Sequence, residues 1–97
     1  MKKVFVTFDY EFLDLKGFAI MPESDWEGLK GDIAGYDYSD RGYERYYGNH
    51  FMRFQSEENL LDSFTVKKVT DNEIDTLVHL FGDEDWGIDP RIFMEDY

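Results

Sequence analysis

Cysteine is absent from the 97-residue sequence, which excludes disulfides and thiolate metal sites and leaves a hydrophobic core to supply the stability. That absence suits a reducing cytoplasm. Basic residues are scarce as well: ten lysines and arginines stand against 22 acids, and a formal charge of −12 repels a polyanion at every approach, which argues against direct nucleic-acid binding. No apolar run reaches the roughly 18 residues of a membrane span, and Asp9 and Glu11 interrupt any signal-peptide core after Met1-Lys2-Lys3. The expectation is a soluble, unprocessed, cytoplasmic protein.

The two histidines, His50 and His79, lie far apart and build no zinc-ligand spacing. The glycines match neither a phosphate loop nor a dinucleotide fingerprint. Asp83, Asp85 and Asp89 resemble a calcium loop in spacing, but glycine falls one position early and Met94 stands where a bidentate glutamate belongs. Asp9 and Glu11 share a strand face, as a catalytic carboxylate pair would, yet no nearby histidine or pocket-forming segment separates their roles; edge-strand charges explain them as well. No catalytic group, metal or cofactor is expected, and the chain does not read as an enzyme.

What is present is a foldable core. A hydrophobic fraction of 42% with 19% aromatics lifts the chain clear of disordered acidic sequences, and its length fits one domain over 1–97. The pattern predicts a single acidic α+β domain of about four mostly antiparallel strands with two to three short helices packed on the sheet. Val4, Val6, Phe8 and Tyr10 alternate with Phe5, Thr7, Asp9 and Glu11 as a strand; Asp14-Leu15-Lys16-Gly17 offers a turn, and Phe18-Ala19-Ile20-Met21 returns antiparallel. Ser24-x-x-Glu27 reads as a capping box for a short helix over 25–33, with Trp26, Leu29 and Ile33 inward. Residues 35–50, with five tyrosines and no sustained period, read as an ordered loop or irregular edge. Strand character returns at 51–55 and 64–69, with a brief helical turn over 56–62. Thr70-x-x-Glu73 caps a second helix on which Ile74, Leu77, Val78 and Phe81 form one stripe before Gly82, and His79 points away from it. Beyond the acidic loop Asp83-Glu84-Asp85, Asp89-Pro90 resembles an N-cap before a last helical turn over 91–96.

Charge is spread unevenly along the chain. Residues 71–97 hold nine acids and a single base, Arg91. Asp71 and Asp75 stand at i, i+4 on the second predicted helix, about 5 to 6 Å apart, a spacing that can imitate a row of phosphates. Asp71 and Glu73 also suit the helix N-terminus through its dipole, whereas Asp83, Glu84, Asp85 and Asp89 lie past the C-terminus, where the dipole disfavours them. Trp86 adds a large apolar anchor within that charge. The candidate partner-binding set is therefore Asp71, Asp75, Asp83, Glu84, Asp85, Trp86 and Asp89, joined by Tyr43, Tyr46 and Tyr47. Those tyrosines interleave with Arg41, Arg45 and Arg53, whose charge is cancelled by Asp37, Asp40 and Glu44. Tyrosine and arginine are enriched at interface hot spots.

These features lead to an expected inhibitor that binds the basic, nucleic-acid-binding surface of a nuclease or other DNA- or RNA-handling protein. In composition alone the chain resembles phage-encoded antagonists of restriction and CRISPR systems and immunity proteins of nuclease toxins, which are often short, acidic and cysteine-poor. The alternative is an adaptor grasped through the tyrosine-rich segment, with a partner unrelated to nucleic acid.

Overall fold

A computed structural model describes residues 2–94. Strand β1 (Lys3–Tyr10) turns through a 3-10 helix (Glu11–Leu13) into β2 (Leu15–Pro22), which leads into α1 (Glu23–Gly35). Then come β3 (Tyr43–Tyr47), β4 (His50–Phe54), α2 (Glu57–Leu61), β5 (Phe64–Val69), α3 (Asp71–Phe81), β6 (Asp85–Gly87) and a second 3-10 helix (Pro90–Phe93). The result is the expected small α+β domain, with one antiparallel sheet ordered β5-β1-β2-β6 and a separate hairpin β3-β4.

The first strand explains the layering. Its even-numbered residues Val4, Val6 and Phe8 are buried on the inner face, together with Ala19 and Met21 of β2 and Phe64 of β5. Leu29 and Ile33 of α1, Leu60 of α2, Tyr43, Met52 and Phe54 of the hairpin, Ile88 and Phe93 cover that face. Phe93 sits among the rings of Phe8, Phe54, Phe64 and Tyr43, at centroid distances of 4.9 to 5.8 Å. On the outer face, Phe5, Phe18 and Ile20 lie beneath the stripe of α3, where Ile74 is buried and Leu77 and Val78 are half-buried. Burial on both faces explains why Phe18-Ala19-Ile20-Met21 is apolar without interruption.

Several expectations are met in detail. Thr70 and Glu73 form the capping box, with the Thr70 N–H donating to Glu73 Oε1 at 2.9 Å and the Glu73 N–H donating to Thr70 Oγ1 at 3.2 Å. Gly82 terminates α3 in the left-handed region, and Ser56 caps α2. Asp89 accepts from the Arg91 N–H ahead of Pro90, as its sequence implies; positions 95 and 96 of the expected last turn lie outside the described residues.

Other expectations need correction. The segment read as a loop over 35–50 contains β3, and with β4 it makes a hairpin whose two-residue turn is Gly48-Asn49; Gly48 has φ +59°, as the first turn position of a type II′ hairpin requires. Strand β4 accordingly leaves the main sheet, and its place there goes to β6, within the stretch read as an acidic loop. The turn after β1 comes earlier than expected, at Glu11–Leu13, with Asp14 at φ +51°, so Leu15-Lys16-Gly17 belong to β2. Ser24 and Glu27 form no capping box, because α1 starts at Glu23 behind Pro22 and puts Ser24 inside the helix.

Gly17 has a different task from turning the chain. It faces Gly87 across the β2-β6 pair, where an added Cβ would lie 2.0 Å from the Ile88 carbonyl oxygen, and one on Gly87 would lie 2.3 Å from that of Lys16. Two glycines thus let the last strand lie directly on β2. The Ile20 N–H donates to the Glu84 carbonyl at 2.8 Å and the Ile88 N–H to that of Lys16 at 3.1 Å, tying both ends of β6 to the sheet.

Candidate functional site

Because β6 runs beside β2, Trp86 is registered opposite Phe18 on the outer face. The two rings stack at 6.4 Å with 22° between their planes, and Phe81, from the last turn of α3, meets Phe18 edge-on at 4.8 Å and Trp86 at 6.1 Å. Phe18 is buried at the base of this group, whereas Trp86 and Phe81 remain 51% and 45% exposed. Leu80 lies exposed beside them on α3. An aromatic ridge therefore faces solvent on a rigid support.

Acids flank the ridge, although Asp85, registered opposite the inward-facing Ala19, turns to the inner side of the sheet. Asp83 is exposed and accepts from the Glu84 N–H at 2.7 Å, which shapes the turn after Gly82. Glu84 lies 3.7 Å from Lys3 Nζ, and Asp85 lies 3.9 Å from the Arg91 guanidinium; both carboxylate side chains stay about half exposed. Ion pairs at this separation and exposure contribute between about 0 and 1 kcal/mol, so they neither hold the loop nor withdraw the acids from a partner. Asp71 and Asp75 are exposed along α3. Asp83 follows Gly82, whose left-handed conformation ends the helix, so it belongs to the turn and not to the helical row of Asp71 and Asp75.

Asp89 leaves the candidate set. It grips Arg91 through both carboxylate oxygens, at 2.7 to 3.1 Å, and caps the last 3-10 helix. Its carboxylate therefore has a structural partner, as do those of Asp83, Glu84 and Asp85 in weaker form. For Asp89, the cap and the Arg91 pair account for its position.

The tyrosines do not act together. Tyr43 is 8% exposed and belongs to the core, with its hydroxyl donating to the Phe93 carbonyl at 3.4 Å and its phenol pushed above the ordinary value by burial. That placement removes it from the binding set. Tyr46 turns to the opposite side of the hairpin, where it is 69% exposed and packs on Phe51 at 5.2 Å; Tyr47 is exposed on the Tyr43 side. The arginines of this segment are engaged locally, Arg45 with the Ile92 carbonyl and Arg53 with that of Arg41 at 2.8 Å. The hairpin packs on the inner face of the sheet and Trp86 stands on the outer face, so tyrosines and acids form two surfaces.

Phe81 and Leu80 were not singled out by sequence, because Phe81 fits the helix stripe and an exposed leucine carries no signal. The one available clue was the second apolar face of β2, which requires a cover that an eleven-residue helix does not complete. Phe12, 87% exposed at the β1-β2 turn, was likewise passed over. Among the described residues no helix is long and apolar enough to cross a membrane. Comparison of the chain with protein-family models, with curated proteins and with solved structures finds no match.

Proposed function

We propose that the protein is an inhibitor that docks on the basic, nucleic-acid-binding surface of a nuclease or other DNA- or RNA-handling protein and occupies the place of its phosphates. One observation carries this reading: the exposed ridge of Trp86 and Phe81 has the carboxylate of Glu84 on its own face of the sheet and Asp83 in the turn that joins the two rings, with Asp75 and Asp71 exposed along α3. An apolar centre with a charged rim is the anatomy of a protein interface, and the carboxylates select a cationic counterpart. The charge of −12 speeds encounter with such a surface, and the aromatic centre then slows dissociation. Inhibition follows from steric and electrostatic competition, with no chemical step.

The experiment is charge reversal of Asp83, Glu84 and Asp85 to lysine. Binding to the basic partner is expected to be lost together with most of its salt dependence, with folding retained; unchanged affinity contradicts the reading.

A second reading, an adaptor module that grips a partner unrelated to nucleic acid, is favoured by the exposed Tyr46–Phe51 pair on the outer side of the hairpin. In that case Tyr46→Ala abolishes binding and the acid reversal leaves it intact.

A further inference from the structure

Opposite β6, the main sheet ends in β5, which pairs on one side only. The backbone parity of that edge follows from two hydrogen bonds. The Asp9 N–H donates to the Ser63 carbonyl at 2.9 Å, and the Ile20 N–H donates away from β1 to Glu84. Since hydrogen-bonded and non-bonded pairs alternate along an antiparallel ladder, Thr65, Lys67 and Val69 direct their N–H and C=O groups at β1. Phe64, Val66 and Lys68 direct theirs outward. These outward groups accept no backbone partner among the described residues.

Two further features mark this edge. A groove of about 410 Å³ runs along it between β5 and α3, with Phe5, Val69 and Leu77 as its apolar lining and Asn72, Thr76 and Glu73 on the helix side, the Glu73 carboxylate being held by Thr70. Lys67 and Lys68 border the groove, both exposed and without an ion pair among the described residues, and Lys2 and Lys3 lie at the Val69 end. Three of the ten cations of a strongly acidic chain, Lys2, Lys67 and Lys68, therefore gather at its longest free strand edge, while Lys3 reaches to Glu84.

We infer that the β5 edge is a docking site for an extended acidic segment of a partner protein, which adds to the sheet as a further strand. The outward N–H and C=O groups of Val66 and Lys68 supply the ladder bonds, the groove takes the apolar side chains that alternate along the added strand, and the lysines meet its carboxylates. Charge decides the occupant. A second copy of this chain pairing through its own β5 sets lysines against lysines, the arrangement by which edge strands are protected from self-association. An acidic strand turns the same lysines into attraction. The β5 edge is the opposite edge of the main sheet from β6, and the inference stands whether or not the inhibitor reading holds.

The test uses the full chain labelled with nitrogen-15 and an N-acetylated, C-amidated peptide of alternating glutamate and valine, with the lysine-valine peptide as control. The expected result is slowed hydrogen exchange at the Val66 and Lys68 amides on addition of the glutamate peptide, no effect of the lysine peptide, and a loss of affinity of about tenfold or more in the K67E/K68E double variant. Unprotected Val66 and Lys68 amides at millimolar glutamate peptide would overturn the inference, as would equal affinity for the two peptides. Protection that instead rises with protein concentration in the absence of peptide assigns the edge to self-association and overturns it as well.

Discussion

Phe18 and Trp86 stack across the β2-β6 pair at 6.4 Å, one ring buried and the other half exposed. The same contact that completes the outer layer of the fold thus presents the apolar centre of the proposed interface. On the proposed reading, the two residues divide stability and binding between them.

Trp86→Ala is expected to lower unfolding free energy by only about 1 to 2 kcal/mol, because half of the ring is already in water. Its cost in binding is larger, about 2 kcal/mol or more, which is roughly thirtyfold in affinity. Phe18→Ala reverses the order, costing about 3 to 5 kcal/mol of stability as a cavity opens beneath α3 and β6. Denaturant unfolding alongside affinity measurements on both variants checks the division.

Gly17→Ala drives a methyl group into the backbone of Ile88, where no side-chain rotation relieves the overlap. Loss of about 3 kcal/mol or more is expected, with β6 displaced from β2. Hydrogen exchange at the Ile20 and Ile88 amides reads that displacement directly. Partner binding should fall in parallel, since Trp86 travels with the strand.

Thr70→Ala removes the hydroxyl that accepts from the Glu73 N–H and should cost about 1 kcal/mol. The reciprocal bond from the Thr70 backbone N–H, followed by that from its hydroxyl, holds the Glu73 carboxyl below the usual range. A lowered folded-state pKa gives stability that is present above the unfolded value and lost as pH falls through the folded one. The stability difference between the native chain and Glu73→Gln should therefore be constant near neutrality and shrink on acidification below about pH 4.3. A difference that grew on acidification would contradict the capping geometry.

At the alkaline end the sign inverts. Burial, and then the nearby Glu57 carboxylate, push Tyr38 up to about 12, and its hydroxyl donates to the Ile33 carbonyl at 2.8 Å. Burial also raises Tyr43. Both phenols stabilise the fold in full below the unfolded tyrosine value of about 10; the Tyr38 contribution is lost as pH rises toward 12, and that of Tyr43 as pH rises through its own raised value. An ultraviolet titration should show a late-ionising portion, and Tyr38→Phe should remove its most alkaline part.

Much of the fold was legible where one local signal decided it: the period of two in β1, the Thr70–Glu73 box and the Asp89-Pro90 cap each fix an element from a few neighbouring residues. What escaped depends on pairing across the chain. Strand β6 is three residues long and exists because Gly17 and Gly87 allow close approach, which neither glycine reveals alone. The hairpin was hidden by its polar, tyrosine-rich strands, although Gly48-Asn49 between two such runs is a recognised turn signal. At the candidate site the acids and Trp86 could be found by composition. The local partners of Glu84, Asp85 and Asp89 could not, because Lys3 lies in β1 and the tie to Arg91 needs the last 3-10 turn.

Competition tests phosphate mimicry most directly. The protein that the chain captures from its native host is purified and titrated with fluorescent duplex DNA and single-stranded RNA, in the absence and presence of the chain. The expected result is mutual exclusion: the chain displaces the nucleic acid, and the D83K/E84K/D85K variant does not. A ternary complex, in which partner, nucleic acid and chain bind together with undiminished affinity, contradicts it.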